Sequence, residues 1–301
     1  MTAPTHVDPQ LLHWFERSND ERAAFILADS YVPYAWGTKI LSASSEIIHG
    51  PRRERPRCML VVGEPGFGKS TLMTKIVSSH RDSNPTPTKI VRINLPGVFD
   101  LTTFFTRLLL ALHVPHSPKD KPGVLVESAF TSLLAQNVVG LVLDEFHNIF
   151  LGPKNALPLV MATIRDMTNT PRLSLICAGT QQAESCIVVD DQLDERFDRY
   201  TLRPWDESTS FRNFVATFEY RLPLRHRSDL SNQKHLPQLL RVSDGRMNRV
   251  VRLLRESAAT AIKNGVERID EALIKATADR LAEARPKPVM PPPSPVAGGA
   301  Q

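Results

Sequence analysis

Residues 58–71, CMLVVGEPGFGKST, decide the fold class of this 301-residue chain. The first six residues, CMLVVG, form a short continuous apolar run, which is typical of a strand buried on both faces of a parallel sheet. Residues 63–70 then match the pattern G-x-x-x-x-G-K-[ST], and a helix beginning STLMTK follows. This order predicts a strand, a phosphate-binding loop and a helix at the start of an α/β domain.

Every fixed position of that pattern is filled, and the loop has the chemistry of a triphosphate site. Its glycines let successive backbone N–H groups point at a phosphate, Lys69 reaches the β- and γ-phosphates, and Ser70 coordinates Mg²⁺. We therefore predict ATP as the ligand. The predicted nucleotide-binding residues of this segment are Gly63, Glu64, Pro65, Gly66, Phe67, Gly68, Lys69, Ser70 and Thr71. The alternative is a Gly-rich turn that precedes a helix by chance.

A second motif, LVLDE at residues 141–145, is an apolar strand that ends in two acids. We expect Asp144 to bind the same Mg²⁺ ion as Ser70, and Glu145 to orient and polarise the attacking water. Two adjacent carboxylates are costly unless a cation or solvent takes up their charge, and the alternative is a polar strand end at the surface. A complete strand lies between the two motifs. This insertion favours the additional-strand, catalytic-glutamate class of P-loop ATPases over Ras-like GTPases and nucleotide kinases.

Strands and helices alternate from residue 57 to residue 205. The predicted strands are 58–63, 89–95, 138–146, 173–180 and 200–205. This rhythm predicts a five-stranded parallel sheet flanked by helices, with right-handed crossovers. We predict four regions: a helical N-terminal segment packing on the core (1–56), the α/β core (57–205), a small helical lid (206–283) and a disordered Pro-rich tail (284–301).

The composition is that of an ordinary globular protein, with 42% hydrophobic and 23% charged residues. The chain contains no run of about 18 apolar residues and no secretory signal, so neither a membrane partner nor secretion is expected. Three cysteines without metal-type spacing predict reduced thiols in a cytoplasmic protein. The net charge of +5 fits either a phosphate-rich partner such as nucleic acid or a slightly basic enzyme surface.

Polar residues follow the fourth predicted strand and precede the fifth. In AAA+ ATPases a polar residue at the end of this fourth strand, called sensor 1, hydrogen-bonds the γ-phosphate or the water. Thr180 is our candidate, and a threonine that caps the next helix is the alternative.

Arg196 and Arg199 stand just before the fifth strand, where an AAA+ arginine reaches the γ-phosphate of the neighbouring subunit. Arg196 is the better match; alternatively, either arginine pairs with Asp191 or Asp194 at the surface.

The lid contains an arginine-rich amphipathic helix within SDGRMNRVVRLLRESA, residues 243–258, with Ser243 or Asp244 as its predicted N-cap. Its predicted apolar face is Met247, Val250, Val251, Leu254 and Ala258. The opposite half, predicted as a solvated face or a surface that contacts nucleic acid, carries Arg246, Arg249, Arg252 and Arg255. Arg246 or Arg249 is the candidate for sensor 2, a lid arginine that touches ATP, and we include Arg249 in the site.

A second basic cluster, predicted to be a solvated linker, consists of Arg52, Arg53, Arg55 and Arg57.

Several stretches together resemble the TniB family of AAA+ transposition ATPases, which are related to TnsC and more distantly to the phage Mu B protein. These stretches are ADSYVPYAW (28–36), RRERPRCMLVVGEPGFGKST (52–71), LVLDEFHNI (141–149), LSLICAGT (173–180), QLDERF (192–197) and LRPW (202–205). The resemblance covers residues 10–280. The phrase DEFHN and the Tyr-Val-Pro-Tyr segment are more specific than the phosphate-binding loop.

The resemblance implies an AAA+ regulator that binds double-stranded DNA with little sequence preference. Such a regulator assembles with ATP into rings or helical filaments on DNA and connects a DDE transposase (TniA-like) to its target, with a TniQ-like targeting partner. The resemblance also implies that Tyr31, Val32 and Tyr34 lie near the adenine, and packing of the N-terminal segment is the alternative for them. Candidates for DNA contact, by region only, are Thr102, Thr103, Arg107, Lys119 and Lys121.

Two other functions share the same ATPase core. One is a regulatory or signalling NTPase whose lid binds protein and never touches DNA. The other is a replication helicase loader or initiator. The basic charge and the arginine-rich lid favour a partner rich in phosphate, and hence the transposition regulator, over the signalling NTPase.

Overall fold

Five parallel strands form the centre of the core. The computed structural model describes residues 5–51, 56–83, 88–97, 99–117, 119–153, 157–169 and 173–284. The strands are β1 (Cys58–Val62), β2 (Lys89–Asn94), β3 (Val138–Asp144), β4 (Ser174–Gly179) and β5 (Phe197–Thr201). They pair in the order β2-β3-β4-β1-β5, and every pair is parallel. The predicted α/β fold with a five-stranded parallel sheet is confirmed.

Helices connect the strands and form the region that follows them. They are α1 (Asn19–Leu27), α2 (Ala35–His49), α3 (Lys69–Ser83), α4 (Leu101–Ala111), α5 (Pro122–Ala135), α6 (Leu157–Asn169), α7 (Gln181–Val188), α8 (Asp191–Asp194), α9 (Thr209–Tyr220), α10 (Leu236–Ser243), α11 (Met247–Lys263) and α12 (Glu271–Glu283). Short 3-10 helices cover Pro9–Glu16 and Phe146–Leu151. In the described part of the chain, no helix combines the length and the apolarity needed to cross a bilayer.

Side chains of β1 alternate between the two faces of the sheet, and each face has its own apolar core. Leu60 belongs to the core under α4, α5, α6 and α7, whereas Met59 and Val61 belong to the core under α2 and α3. All of β1 is buried, because it lies between β4 and β5 and both of its faces are covered. The carboxyl ends of the parallel strands meet at one end of the sheet, which is where such folds bind ligands.

Helices α9 to α12 enclose a separate apolar core, and the described residues of 206–284 contain no strand. Helix α1 contributes Ile26 to this lid core and packs against α11. The fully buried guanidinium of Arg22 donates to the carboxylate of Glu267 at 2.7 and 2.6 Å. The expectation that the whole N-terminal segment packs on the α/β core is therefore wrong for α1, because its buried face and Arg22 find their partners in the lid. Helix α2 does lie on the core.

The predicted position of the fifth strand is wrong. β5 covers Phe197–Thr201 rather than 200–205, so Arg199 lies inside the strand instead of before it. β5 is at the edge of the sheet, and only Phe197 in it is fully buried. An edge strand has one solvated side and accepts polar residues such as Asp198. The start of β5 therefore lacks the apolar run by which a strand is predicted from the sequence.

The predicted N-cap of the arginine-rich helix is also wrong. Ser243 is the last residue of α10, and Asp244 follows it in the left-handed conformation, with a φ of 51°. α11 begins at Met247, with Arg246 at the N-cap position. Asp244-Gly245 thus ends one helix, since a left-handed residue is a common helix stop, and does not open the next.

Part of what the sequence predicted lies outside the described residues. This applies to Arg52, Arg53 and Arg55 of the second basic cluster, and to the predicted disordered tail after Ala284. Arg57, the remaining member of that cluster, forms an ion pair with Asp198 of β5.

All three cysteines are buried free thiols, as predicted. They are Cys58 on β1, Cys177 on β4 and Cys186 on α7. Burial raises the pKa of Cys58 and of Cys186 to about 12. At neutral pH these groups are therefore protonated thiols inside the core, where they pack as small apolar residues.

Candidate active site

The loop between β1 and α3 has a backbone conformation that depends on its glycines. Gly66 and Gly68 have φ angles of 88° and 90°, which residues with a Cβ rarely adopt. The N–H of Gly63 donates to the carbonyl oxygen of Gly179 at the end of β4 (3.1 Å), which fixes the start of the loop on the sheet. The loop leads into the N-terminus of α3, whose unpaired N–H groups and positive dipole end favour an anion.

Lys69 is the first residue of α3, and the loop nearly encloses its ammonium group. Its Nζ donates to the carbonyl oxygens of Gly63 (2.6 Å) and Glu64 (3.2 Å), and the residue is 6% exposed. Burial lowers the pKa of Lys69, and the nearby carboxylates of Glu145, Asp144 and Glu64 oppose this effect. The loop therefore holds a cation beside the acid pair, at the place where the phosphates are predicted.

The two acids at the end of β3, Asp144 in the strand and Glu145 directly after it, lie in different environments. Asp144 is 1% exposed, and its Oδ1 accepts a hydrogen bond from the N–H of Glu145 (3.0 Å). Glu145 has a left-handed backbone, with a φ of 57°, and such strain in a non-glycine residue is concentrated at functional sites. Its side chain is partly exposed, and its Oε2 lies 3.4 Å from Nε2 of His147. One carboxylate is thus held inside the site, and the other can reach solvent.

Arg92 is a site residue that the sequence analysis missed. It lies on β2, next to β3, in register with Val142 two residues before Asp144. Its guanidinium donates to Oδ2 of Asp144 (2.7 Å) and to Oγ1 of Thr74 on α3 (2.5 Å). One signal was available: a single arginine within the apolar run IVRI needs an anion or solvent. Arg92 is a second cation, after Lys69, beside the buried carboxylate.

The end of β4 contacts the acid pair through His147. Thr180 is the N-cap of α7 by position, but its side chain makes no capping hydrogen bond, so the structure does not support the capping alternative. Its N–H instead donates to Nδ1 of His147 (3.4 Å). His147 belongs to the phrase DEFHN, to which the sequence analysis gave no individual role. The part of Thr180 as sensor 1 stays a prediction.

The two arginines near β5 have different partners. Arg199 pairs with Asp194 and Glu184, in agreement with the surface-pair alternative considered for it. Arg196 precedes β5, and its Nη1 donates to Oγ1 of the buried Thr168 on α6 (2.5 Å). The structure thus holds Arg196 beside α6, and its predicted contact with a neighbouring subunit stays a prediction.

The N-terminus of α11 lies on the phosphate-binding loop. The N–H of Asn248 donates to the carbonyl oxygen of Gly66 (2.9 Å), and Nη1 of Arg246 donates to that of Pro65 (3.1 Å). A Cβ on Gly66 would lie 2.6 Å from Oδ1 of Asn248. The lid therefore touches the loop directly, and a side chain at position 66 would have to displace the amide group of Asn248.

The lid arginines have different partners. The guanidinium of Arg249 pairs with Asp244, and its predicted contact with ATP stays a prediction. Of the two sensor 2 candidates, Arg246 is the one beside the loop. Arg255 is buried rather than solvated, and its Nη1 donates to Oδ1 of Asp29 (3.0 Å), so it connects the lid to the N-terminal segment.

A cavity of about 850 Å³ opens between the loop, the lid and the N-terminal residues 29–34. Its lining includes Tyr31, Val32, Tyr34, Gly68, Ser70, Thr71, Met247 and Asn248. The predicted neighbours of adenine thus share one cavity with the end of the phosphate-binding loop. Val32 also packs in the lid core. Packing of the N-terminal segment, the alternative to a position near adenine, therefore also describes Val32.

Two tyrosine side chains that line this cavity have buried hydroxyls that are unpaired in the described part of the chain. The Oη atoms of Tyr31 and Tyr34 are buried and have no hydrogen-bond partner within the described residues. Burial raises the pKa of Tyr31 to about 12. Buried hydroxyls are usually paired, so two unpaired ones in a single cavity call for an explanation such as a bound molecule.

The residues present fit a nucleoside triphosphate with its metal ion. The glycine backbone and Lys69 form a cradle for phosphate, and the cavity has the size of a small-molecule site. The hydroxyl of Ser70 and the carboxylate of Asp144 are hard oxygen ligands of the type that Mg²⁺ prefers. Each of these residue roles stays a prediction.

The candidates for DNA contact lie on α4 and in the loop before α5. Oγ1 of Thr103 donates to Oδ2 of Asp100 (2.6 Å), so this residue takes part in the N-cap of α4. Arg107, Lys119 and Lys121 are exposed, and Arg107 also donates to the carbonyl oxygen of Asn94 (2.8 Å). Thr102 is half-buried. Contact of this region with DNA stays a prediction.

Solved structures with the same architecture include initiator proteins. The Aeropyrum pernix ORC2 protein, in ADPNP–ADP complexes, has a TM-score of 0.61 at 15% identity and covers 87% of this chain and 74% of its own. The Aeropyrum pernix ORC1 protein in complex with DNA has a TM-score of 0.62 at 15% identity, covering 88% and 69%. Cdc6p from Pyrobaculum aerophilum has a TM-score of 0.63 at 17% identity, covering 85% and 70%. At these identities the similarity establishes the AAA+ fold alone.

Sequence comparison gives the family. No curated protein matches the chain. The family model described as "Bacterial TniB protein" matches residues 22–207, more than half of the chain. The matched range runs from α1 through the phosphate-binding loop and the acid pair to the residues after β5. The predicted resemblance is therefore confirmed, and the chain belongs to the TniB family of AAA+ proteins.

Proposed function

We propose that this protein is an ATP-dependent regulator of transposition that binds double-stranded DNA with little sequence preference. It would oligomerise on DNA and link a DDE transposase of the TniA type to its target site, together with a TniQ-like protein. Hydrolysis of ATP would then disassemble the oligomer. One observation carries the proposal: in a TniB-family chain, the end of the phosphate-binding loop and the lid line one cavity, and the acid pair lies close to Lys69 of that loop.

The arrangement supports ATP hydrolysis in particular. Lys69 and the loop amides would hold the phosphates, and Ser70 with Asp144 would hold the metal ion. Mg²⁺, when bound, neutralises phosphate charge and polarises the bond that is cleaved. Glu145, whose carboxylate is partly exposed and lies next to buried Asp144, would orient the attacking water and take up its proton.

Assembly would depend on the γ-phosphate, because residues of two neighbouring chains would contact it. Lys69 and Thr180 of one chain would contact it directly, and Arg196 of the next chain would contact it across the subunit interface. Loss of the γ-phosphate removes both sets of contacts, so the oligomer is stable only with ATP. The net charge of +5 supports a polyanionic partner, and ORC1, which shares this fold, was solved in complex with DNA.

The Glu145→Gln variant tests this switching model. It keeps the phosphate contacts and removes the base, so it should form ATP-dependent assemblies on DNA that persist without turnover. Analytical ultracentrifugation with ATP and duplex DNA measures the assemblies, and phosphate release measures turnover. Lys69→Ala is the control and should form none. A Glu145→Gln protein that stays monomeric with ATP and DNA would contradict the model.

DNA binding separates this proposal from a signalling NTPase with the same core. In a mobility-shift assay, the regulator should bind unrelated duplexes with similar affinity, and more tightly with ATP than without it. Binding should weaken steeply between about 50 and 200 mM salt, because phosphate contacts release counterions. A protein that hydrolyses ATP but leaves every duplex unshifted would favour the signalling function.

A further inference from the structure

His147 occupies a position between the predicted catalytic glutamate and the end of β4. Its Nε2 lies 3.4 Å from Oε2 of Glu145, and its Nδ1 lies 3.4 Å from the backbone nitrogen of Thr180. The His147 side chain is 19% exposed, so the protein holds the imidazole ring on most sides. The two ring nitrogens thus face two groups that belong to different strand ends.

The identities of these partners determine which ring nitrogen of His147 carries a proton. A backbone N–H can only donate, so Nδ1 of His147 has to accept and carries no proton. The ring proton is then on Nε2, which faces Oε2 of Glu145 at 3.4 Å. His147 therefore presents an N–H group toward Glu145 as long as Thr180 holds its other nitrogen.

The same peptide group that holds His147 is also bound by the phosphate-binding loop. The carbonyl of Gly179 and the N–H of Thr180 belong to one rigid, planar amide. Its oxygen accepts from the N–H of Gly63 (3.1 Å), and its N–H donates to His147 (3.4 Å). Two hydrogen bonds thus connect Gly63 through the peptide after Gly179 to His147, and the 3.4 Å contact between Nε2 and Oε2 connects His147 to Glu145.

The packing around this peptide leaves little freedom. A Cβ on Gly179 would lie 2.6 Å from Cβ of Ala183 and 3.2 Å from the backbone nitrogen of His147. Because Gly179 has no side chain, the backbone of His147 can approach β4 this closely. A shift of Gly63 would move the peptide, and the peptide would move the imidazole ring.

We propose that His147 is a positioning residue that sets the orientation of Glu145 and makes that orientation depend on the first residue of the phosphate-binding loop. This inference rests on the proposed function, since it concerns how Glu145 is readied for hydrolysis. Residues that orient a reacting group through one hydrogen bond typically change the rate by about 10–100-fold when removed. His147 touches neither phosphate nor water in this role.

Three variants of the full-length protein test the proposal. His147→Leu keeps the packing volume and removes both ring nitrogens, whereas the amide of His147→Gln can donate and accept. We expect kcat for ATP hydrolysis to fall about 10–100-fold in the leucine variant and to recover at least in part in the glutamine variant. The dissociation constant of a fluorescent ATP analogue should stay within threefold in both. His13→Ala, at an exposed histidine in the 3-10 helix 9–16, is the matched control and should leave both quantities unchanged.

The outcomes separate this role from the proposed function. A leucine variant with wild-type kcat, or a glutamine variant as slow as leucine, overturns the positioning role. A leucine variant that loses nucleotide affinity as strongly as kcat shows a structural role and also overturns it. If the wild-type protein binds ATP but never hydrolyses it, with or without DNA, the proposed ATPase fails and the inference fails with it.

Discussion

At the scale of single residues, Gly66 of the phosphate-binding loop combines a left-handed backbone with close contact to the side chain of Asn248 in the lid. Gly66 has a φ of 88°, and a Cβ on it would lie 2.6 Å from Oδ1 of Asn248. A left-handed residue with a Cβ costs roughly 1–2 kcal/mol before any clash is counted. Both penalties act on the segment whose backbone N–H groups are predicted to bind the phosphates, so they should affect binding directly.

We predict that Gly66→Ala weakens nucleotide binding about tenfold or more, since about 1.4 kcal/mol corresponds to a factor of ten. Isothermal titration with ATP measures the effect. Gly97→Ala is the matched control, because a Cβ on Gly97 would meet no atom within 4 Å and its φ is not in the left-handed region. Equal affinities of the two variants would show that the loop tolerates a side chain.

Arg92 allows a second prediction at this scale. Arg92→Gln should lower the free energy of unfolding of the nucleotide-free protein by about 1–3 kcal/mol, because buried Asp144 loses its charged donor. Denaturant unfolding measures this difference. Arg107→Gln, which removes an exposed arginine bound to a carbonyl oxygen, is the control and should change stability by less than about 0.5 kcal/mol. An Arg92→Gln protein as stable as the control would mean that Lys69 alone balances Asp144.

At the scale of elements, the sequence predicts best where hydrophobic pattern and position agree. β1, β3 and β4 are apolar runs between helices, and their predicted and observed ranges differ by at most two residues at either end. The predicted range of β5 was wrong, because an edge strand carries polar residues such as Asp198 and lacks a continuous apolar run. The predicted start of α11 was wrong, because Asp244-Gly245 fits a helix start as well as a helix stop in the sequence.

The candidate site was predictable only where a motif specifies it. Residues of the loop and the acid pair stand at fixed spacings within one segment each. Arg92 and His147 act through contacts between different elements, Arg92 with Asp144 of the neighbouring strand and His147 with Thr180 after β4. Such contacts depend on strand order and register, which no single stretch of sequence contains. Likewise, the choice between Arg246 and Arg249 depended on where α11 begins.

Helix α1 and the lid are joined by a buried ion pair, which gives a prediction about stability. Glu267→Gln should destabilise the protein by about 3–5 kcal/mol at pH 7, because Arg22 is fully buried and would keep an uncompensated charge. Asp229→Asn, at the exposed pair with Arg227, is the control and should cost about 1 kcal/mol or less. Chemical denaturation compares them, and equal small losses would contradict the importance of the buried pair.

The same pair should make stability depend on pH. Burial raises the pKa of Glu267, but hydrogen bonds from Arg22 and from the N–H of Arg225 outweigh this, so the pKa in the folded protein is below the ordinary 4.5. A lowered folded-state pKa contributes stability above pH 4.5, and this contribution is lost as the pH falls through the folded-state value. The stability difference between wild type and Glu267→Gln should therefore shrink below pH 4.5, and a difference that is constant down to pH 3 would contradict this assignment.

At the scale of the whole molecule, the cavity is built by three parts of the chain that meet only in the folded state. Its lining comes from α3, the lid and residues 29–34, so a ligand there contacts all three. At a concentration of about 100 times its Kd, ATP should stabilise the native state by about 2.7 kcal/mol and raise Tm by several degrees. Differential scanning calorimetry measures this shift. Lys69→Ala should show none, and an equal shift in both proteins would place the ligand elsewhere.

The chain passes between the α/β core and the lid twice, and the two passages lie side by side. Residues 28–34 lead from α1 on the lid to α2 on the core, and residues 202–208 lead from β5 to α9. The rings of Tyr34 and Trp205, one from each passage, have centroids 5.7 Å apart. If the lid reorients, these two short spans are where backbone torsions would absorb the rotation. Tyr31, Val32 and Tyr34 belong to the first span and line the cavity, so such a rotation would also rearrange the cavity wall where the nucleobase is predicted.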